Sequence, residues 1–527
     1  MIHIKTLVVG AGPAGLQVAY YLDKMGLDYL VLERADHVAS FFTKYPLSGN
    51  LISINKPNTG SENSDFNLRH DWNSLIQEEE TPLLFPTTYS TDYYPKSDDL
   101  VKYLHDFANR YSLKIQFSAT VTMIRKREET SGYRIECIVN GESVIYICEK
   151  LIVATGLSKP QIPNIIEQIT TKIKHYGEYE KNYFKDPANL ETFRNKSLLL
   201  VGGGNAAFEL ANLLTPYCSH VLIESRSKKP WAMSTHYTGD LRSVYLPFMD
   251  TFLLKSQNAF DYNNHVKMHI HQVSETTPYK IARSMNPDDK YYGSPRSAFD
   301  HVIYCTGWTF DEYIFAFPLE YMYKYPKVMG NYEATGHPNL FFIGSIMHSL
   351  DYRASSGGFI HGFRYLIKYF MQVNYDLPFD INRLEKDHLT SHIMNKISTS
   401  SALYQMYGQL CDLFYVNGEE IYYLNNVTIA HRGSNQYTPT SQYNFMLTLE
   451  YGKDLVTDIY KLGNRVTAIG TESKSTLLHP VLRVFKGARL VEMIHFDEDL
   501  FADFSDTLIY EDKLKRALSM FIEPRFS

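Results

Sequence analysis

Gly10, Gly12 and Gly15 stand at G-x-G-x-x-G spacing in "TLVVGAGPAGLQVAYYL", and Gly202, Gly204 and Ala207 repeat the pattern as G-x-G-x-x-A in "LLLVGGGNAAFELANLL". Residues of these types at this spacing cradle phosphate. The first glycine permits a tight turn, the second lets the backbone approach a pyrophosphate, and the third position lets a helix pack closely on the strand before it. The helix that follows aims free N–H groups and its positive dipole end at the anion. This chemistry needs a strand before each turn and a helix after it. In the first copy Leu7, Val8 and Val9 form the strand, Pro13 and Ala14 complete the turn, and Leu16 to Leu22 read as a helix with an apolar face. A second strand, Tyr29 to Leu32, runs into Glu33 and Arg34. A carboxylate about 20 residues past such a turn can accept hydrogen bonds from ribose hydroxyls.

The second copy has the same grammar. A strand from Leu198 to Val201 leads into a helix from Asn205 to Leu214, and a strand from His220 to Ile223 leads into Glu224, Ser225 and Arg226, with Lys228 and Lys229 beyond. A guanidinium there suits a 2′-phosphate through charge-assisted bonds. Glu224 would suit an unphosphorylated ribose, but the basic cluster favours NADPH over NADH. Two such turns predict two dinucleotides, FAD at the first and the nicotinamide cofactor at the second.

The remaining elements follow from this arrangement. "LIVATG" closes on Thr155 and Gly156 and "HVIYCTG" on Gly307, two points where the chain can pass between dinucleotide domains. "NLFFIGS", with Gly344, reads as the last strand of the FAD sheet. A helix is expected from about Ser356, with Gly357 and Gly358 at its start, its amides facing the flavin edge that gains charge on reduction. Asp351 is a candidate for the FAD ribityl chain. The expected fold is α/β, with two Rossmann-like domains, the nicotinamide domain inserted in the FAD domain, and a C-terminal α+β extension. The expected division is 1–157 and 301–375 for FAD, 158–300 for the nicotinamide, and 376–527 for the extension. That extension reads as a lid, an oligomer contact or a support for the site.

A chain of 527 residues is long enough for two or three cores. A net charge of −6 with dispersed basic residues gives no reason to expect nucleic acid. No apolar run approaches the ~18 residues of a membrane helix. The apolar N-terminus is the first strand rather than a secretory leader, and Glu523 to Ser527 match no retention signal. Cys137, Cys148, Cys218, Cys305 and Cys411 make no close pair. This suits a reducing, cytoplasmic setting and supplies no redox dithiol, and no zinc-ligand spacing occurs either.

The two turns and their order resemble the flavin-containing monooxygenase superfamily, as does "YYPKSDDLVKYLHDFA". "SFFTKYP", "LISINK", "FNLRHDWNSL", "STHYTGDLR", "SLDYRASSGGFIHGFRY" and "LHPV" are similar to the FAD-dependent oxidoreductase domain-containing family, over roughly residues 1 to 505. That family includes an endoplasmic-reticulum flavoprotein linked to protein degradation, whose targeting signals are not read in this sequence. In size and layout the chain also resembles single-component flavin-dependent phenol halogenases.

The superfamily resemblance places Asn55 beside the flavin, where its amide could hydrogen-bond a C4a-hydroperoxide. Arg69, His70, Asp71 and Trp72 form a polar-aromatic group in which His70 could exchange protons near neutral pH. His236, Tyr237, Asp240 and Arg242 form a second group, placed to shape an interdomain cleft or to brace a loop. The halogenase resemblance calls for a lysine that steers hypohalite, and Lys255 in "DTFLLKSQNAF" is the candidate. The expected activity is oxygenation of a small organic substrate by NADPH, FAD and O2. Bromination of a phenol, with halide as co-substrate, and an electron-transfer or interaction role are the alternatives.

Overall fold

The computed structural model describes residues 1–127, 131–163, 173–227, 229–255, 260–264, 268–274, 277–283, 298–417, 420–433, 443–452, 475, 477–499 and 501–522. Lys228 and the turn "KLGN" lie outside them.

The first sheet is built on Ile2–Val9, whose last four residues, Thr6 and the apolar Leu7, Val8 and Val9, are buried because both faces are covered. It pairs in parallel with Tyr29–Leu32 on one side and with Glu142–Val153 on the other. Ile115–Gln116 extends the parallel part beyond Tyr29–Leu32. Glu142–Val153 has two jobs. Its N-terminal part carries an antiparallel ribbon of Tyr133–Val139 and Ala119–Lys126, and its C-terminal part pairs in parallel with Leu340–Phe342. The helices Pro13–Lys24 and Ile360–Asn374 pack together beside this sheet.

A second sheet is wholly parallel, in the order Phe260–Asn264, His220–Ser225, Ser197–Val201, His301–Tyr304 and Lys174–His175. The chain leaves the first sheet after Val153 and returns after Tyr304. Those two connections run side by side, because Lys159–Pro160 pairs with Trp308–Thr309. A small antiparallel sheet of Met268–Ser274, Thr277–Arg283 and Ala298–Phe299 interrupts the second unit.

The last part of the chain forms a six-stranded antiparallel sheet, from Ile381–Glu385 at one edge to Arg489–His495 at the other, with helices Leu389–Thr399 and Asp512–Ile522. It is not a separate body. Its core is continuous with that of the first sheet. Arg69, 2% exposed, donates to the carbonyls of Ile397, Ser400 and Ala502 at 2.9, 3.1 and 3.3 Å. Gln405 returns a bond from Nε2 to the Arg69 carbonyl, and Ser401 N donates to Asp65. The architecture is therefore α/β with two Rossmann-like sheets and an α+β extension. No helix among the described residues is long and apolar enough to cross a membrane.

Candidate functional site

Parallel strands place their C-terminal ends on one side of a sheet, where ligands of such folds bind. At that end of the first sheet Gly12 is the N-cap of Pro13–Lys24, Pro13 stands in the first turn, and no side chain caps the free N–H groups. The glycines of the turn have different reasons to be glycine. Gly10 has φ +105°, and a Cβ there would lie 2.8 Å from the Ala154 oxygen. A Cβ on Gly15 would collide with the Gly10 carbonyl. Gly12 has an ordinary φ of −78°, and a Cβ on it meets nothing within 4 Å. The protein itself does not require Gly12 to be bare. A ligand backed against the uncapped helix end would.

Glu33 is buried, and its carboxylate accepts from Ala11 N at 2.8 Å, Ala35 N at 3.0 Å and Ser40 Oγ at 3.2 Å. It shapes the turn directly, a role the ribose expectation did not include. Arg34 beside it is exposed. Thr155 and Gly156 follow the Glu142–Val153 strand, with Gly156 close to Ser345, while Gly344 backs onto Ala14. The helix expected from Ser356 begins at Ile360. Gly357 and Gly358 are weak helix formers, and Asp351 Oδ2 holds Gly357 N at 2.8 Å, outside the helix. The other Asp351 oxygen lies 2.7 Å from His348 Nδ1. Both oxygens are thus engaged within the protein.

At the second turn Gly202 has φ +120° and backs onto the Cys305 carbonyl, Ala207 is fully buried, and Gly204 is open in the same way as Gly12. Gly204 likewise caps its helix without a side-chain bond. Asn205 ties the helix to a loop, donating to the Asp240 carbonyl at 3.1 Å and accepting from Arg242 N at 2.9 Å. Ser225 is buried against Gly203, and Arg226 is exposed. Desolvation lowers the pKa of the Lys229 ammonium, and the charges of Arg353 and Arg226 lower it further. Desolvation and then Lys229 do the same to Lys324. Four cations therefore crowd beside the second turn. Lys324 and Arg353 come from a distant segment, so sequence proximity could not supply them.

The two polar-aromatic groups meet across a cavity of about 280 Å³ whose wall includes Trp72, Tyr94, Met233, His236, Tyr237 and Arg242. Trp72 stacks on His361 with centroids 4.1 Å apart, and the Arg242 guanidinium lies 5.1 Å over the Trp72 ring. His361 is buried, its Nε2 has no partner, and burial followed by the charges of Arg364 and Arg242 pushes its pKa well down. Burial thus favours the neutral imidazole, and its Nε2 is open.

The expected catalytic residues fare differently. Asn55 is fully buried and donates its amide to the Ser90 and Asp92 carbonyls at 2.8 and 3.2 Å, which leaves Oδ1 open. His70 packs on Phe66 instead of lining the cavity, and desolvation, then Lys56 and Arg69, lower its pKa. Its neighbour Trp72 takes the cavity position. Lys255 is exposed at the C-terminal end of Leu246–Lys255 and is not part of the cavity wall. A lysine at a helix C-terminus is favoured there by the dipole alone.

The C-terminal extension reaches this cavity. Tyr407 donates to the His236 carbonyl at 2.6 Å, and Tyr451 stacks on the His236 ring at 3.9 Å and 7°. His236 has φ +56°, so the extension holds a strained residue in place. Removing this one hydroxyl in Tyr407→Phe is expected to lower stability by about 1 kcal/mol in urea unfolding and to speed proteolysis at the His236 loop. An unchanged cleavage rate would show that the bond does not restrain the loop.

Residues 7–344 match the family described as Pyridine nucleotide-disulphide oxidoreductase. The chain is 33% identical over 518 residues to "FAD-dependent oxidoreductase domain-containing protein 2" of Mus musculus, covering 92% of this chain and 76% of the relative. It is 29% identical over 209 residues to "Probable indole-3-pyruvate monooxygenase YUCCA9" of Arabidopsis thaliana, covering 39% of this chain and 43% of the relative. The fold is similar to that of a flavin-containing monooxygenase from Stenotrophomonas maltophilia, with TM-score 0.52 and 16% identity over 72% of this chain and 100% of that one. The fold, the paired glycine turns and the similarity over nearly the whole length place the chain in the FAD-dependent oxidoreductase domain-containing family.

Proposed function

We propose that the protein passes electrons from NADPH through FAD to O2 and oxygenates a small organic molecule in the cavity. The observation that carries this reading is the pair of bare cradles, Gly12 and Gly204. Each sits at an uncapped helix end where a Cβ would find only open space. In this reading 1–157 with 301–375 bind FAD, 158–300 bind NADPH, and 376–527 buttress the site. Bound FAD would accept hydride and react with oxygen. His361 Nε2 and Asn55 Oδ1, both buried and open, offer hydrogen bonds to the flavin ring. Trp72 and Tyr94 give the cavity an aromatic wall.

Oxygenation is favoured over thiol chemistry because all five cysteines are free and four are buried. Burial raises the Cys137 thiol to about 11 and the Cys148 thiol to about 12, far from the thiolate that disulfide exchange needs. The YUCCA9 relative, whose name is that of a monooxygenase, supports the same choice.

The test supplies NADPH and 18O2 with amines, phenols and ketones and follows products by mass spectrometry. One 18O atom in an organic product supports the reading. NADPH consumption that yields only hydrogen peroxide with every compound would overturn it. For the cofactor, Arg226→Ala should raise KM for NADPH roughly tenfold or more, by loss of a charge-assisted phosphate bond, and leave KM for NADH unchanged. Equal effects on both would show that Arg226 does not read the 2′-phosphate.

A further inference from the structure

Three buried residues from two segments form a chain of hydrogen bonds ending at the cavity wall. Tyr237 Oη lies 2.9 Å from His348 Nε2, and His348 Nδ1 lies 2.7 Å from Asp351 Oδ1. Tyr237, His348 and Asp351 are 5%, 1% and 3% exposed, so water does not compete for these bonds. The backbone supports the arrangement. Gly357 N fixes the other Asp351 oxygen, and a Cβ on Gly358 would press to 2.6 Å from the His348 ring. Tyr237 also lines the cavity.

The reaction proposed above takes up a proton. NADPH, O2 and one proton give NADP+ and hydrogen peroxide. With an organic acceptor they give NADP+, oxygenated product and water. Either way one proton enters per turnover.

The geometry points to Tyr237, His348 and Asp351 as the proton inlet of this reaction. Tyr237 releases its Oη proton into the cavity while protonated His348 passes its Nε2 proton to the same oxygen. Tyr237 ends neutral, and His348 becomes a neutral imidazole whose Nδ1–H still donates to the Asp351 carboxylate. One proton drawn from outside the protein, through a transient opening of this buried site, then restores His348. Tyr237 is the donor at the wall, and His348 and Asp351 position and resupply it. Burial, then Tyr325, Tyr352, Asp351 and Asp240, hold the Tyr237 phenol far above its ordinary pKa. A free tyrosinate does not persist there, so release must be coupled to resupply. The other groups around the relay leave it intact. The rings of Tyr325, Tyr352 and Phe359 flank His348 at 5.6, 5.8 and 6.0 Å, and Asp240 is paired with Arg353 at 2.7 Å.

The inference rests on the NADPH–oxygen reading, and the experiment separates the two. In the FAD-loaded full chain, Tyr237→Phe and His348→Gln should each lower NADPH-supported oxygen consumption roughly a hundredfold, the usual scale of general acid catalysis. Anaerobic reduction of the flavin by NADPH should keep its rate. Unchanged oxygen consumption, or an equal loss in flavin reduction, would overturn the inlet. Independently, 15N-histidine spectra, with the His348 signal assigned by its loss in His348→Gln, should show Nδ1 protonated and both ring nitrogens hydrogen-bonded. Tyr237→Phe should displace the Nε2 signal. A bare Nδ1, or no response to Tyr237→Phe, would sink the relay. Failure of NADPH to reduce the flavin in the unaltered protein would instead defeat the reading of the reaction, and the imidazole spectra would still decide the relay.

Discussion

Gly12→Val is expected to yield a folded, colourless protein. At most turn glycines such a change would test the fold and the ligand together. Gly12 separates them. Its φ of −78° is open to any residue, and its Cβ would enter space empty of protein atoms to 4 Å. Unfolding free energy of the FAD-free chain should therefore change by less than about 1 kcal/mol, as for a substitution that touches nothing. A branched side chain would, however, stand where a pyrophosphate must approach the helix end, and FAD absorbance should vanish from the purified protein. Gly15→Val is the contrast. Its Cβ meets the Gly10 carbonyl, so the variant should fail to fold whether or not FAD is supplied. Wild-type FAD occupancy in Gly12→Val would refute the assignment of this turn. Gly204→Val should repeat the behaviour for NADPH, with FAD retained.

Arg69→Met is expected to produce a large loss of stability that begins at the C-terminal extension. The guanidinium is buried, and desolvation lowers its pKa to about 10 even so close to three carbonyls. Methionine fills much of the volume but takes the guanidinium donors from the carbonyls of Ile397, Ser400 and Ala502 in a dry interior. Each unsatisfied group costs about 1–3 kcal/mol, so a total above ~3 kcal/mol is expected. The loss should appear as early proteolytic release of the segment after residue 375, before the first sheet unfolds. Coincident unfolding of both parts at the wild-type midpoint would show that Arg69 is not the bolt. The cavity should suffer as well, because Tyr407 and Tyr451 of the extension hold His236.

Much of this protein could be read locally. A strand, a glycine turn and a helix are neighbours in the chain, so their pattern survives in one dimension. The helix Asn205–Leu214 and the strand Tyr29–Leu32 have the bounds their residues predict. The helix near Ser356 starts four residues later than expected. A carboxylate six residues upstream of Gly357 holds that amide in the loop before the helix, and only the folded loop brings it there.

What the sequence by itself determined was the two dinucleotide turns, their order and the α/β architecture, because these depend on short-range sterics and apolar periodicity. The tertiary structure decided which side chains share a wall. Trp72 rather than His70 reaches the cavity, because Arg69 draws its own side chain toward the extension while the Trp72 ring finds His361. Lys324 and Arg353 join the cations at the second turn, and His348 meets Tyr237, through contacts spanning about a hundred residues of chain. No spacing rule encodes such pairs. They form because burying a polar group without a partner costs more than bringing a distant one to it.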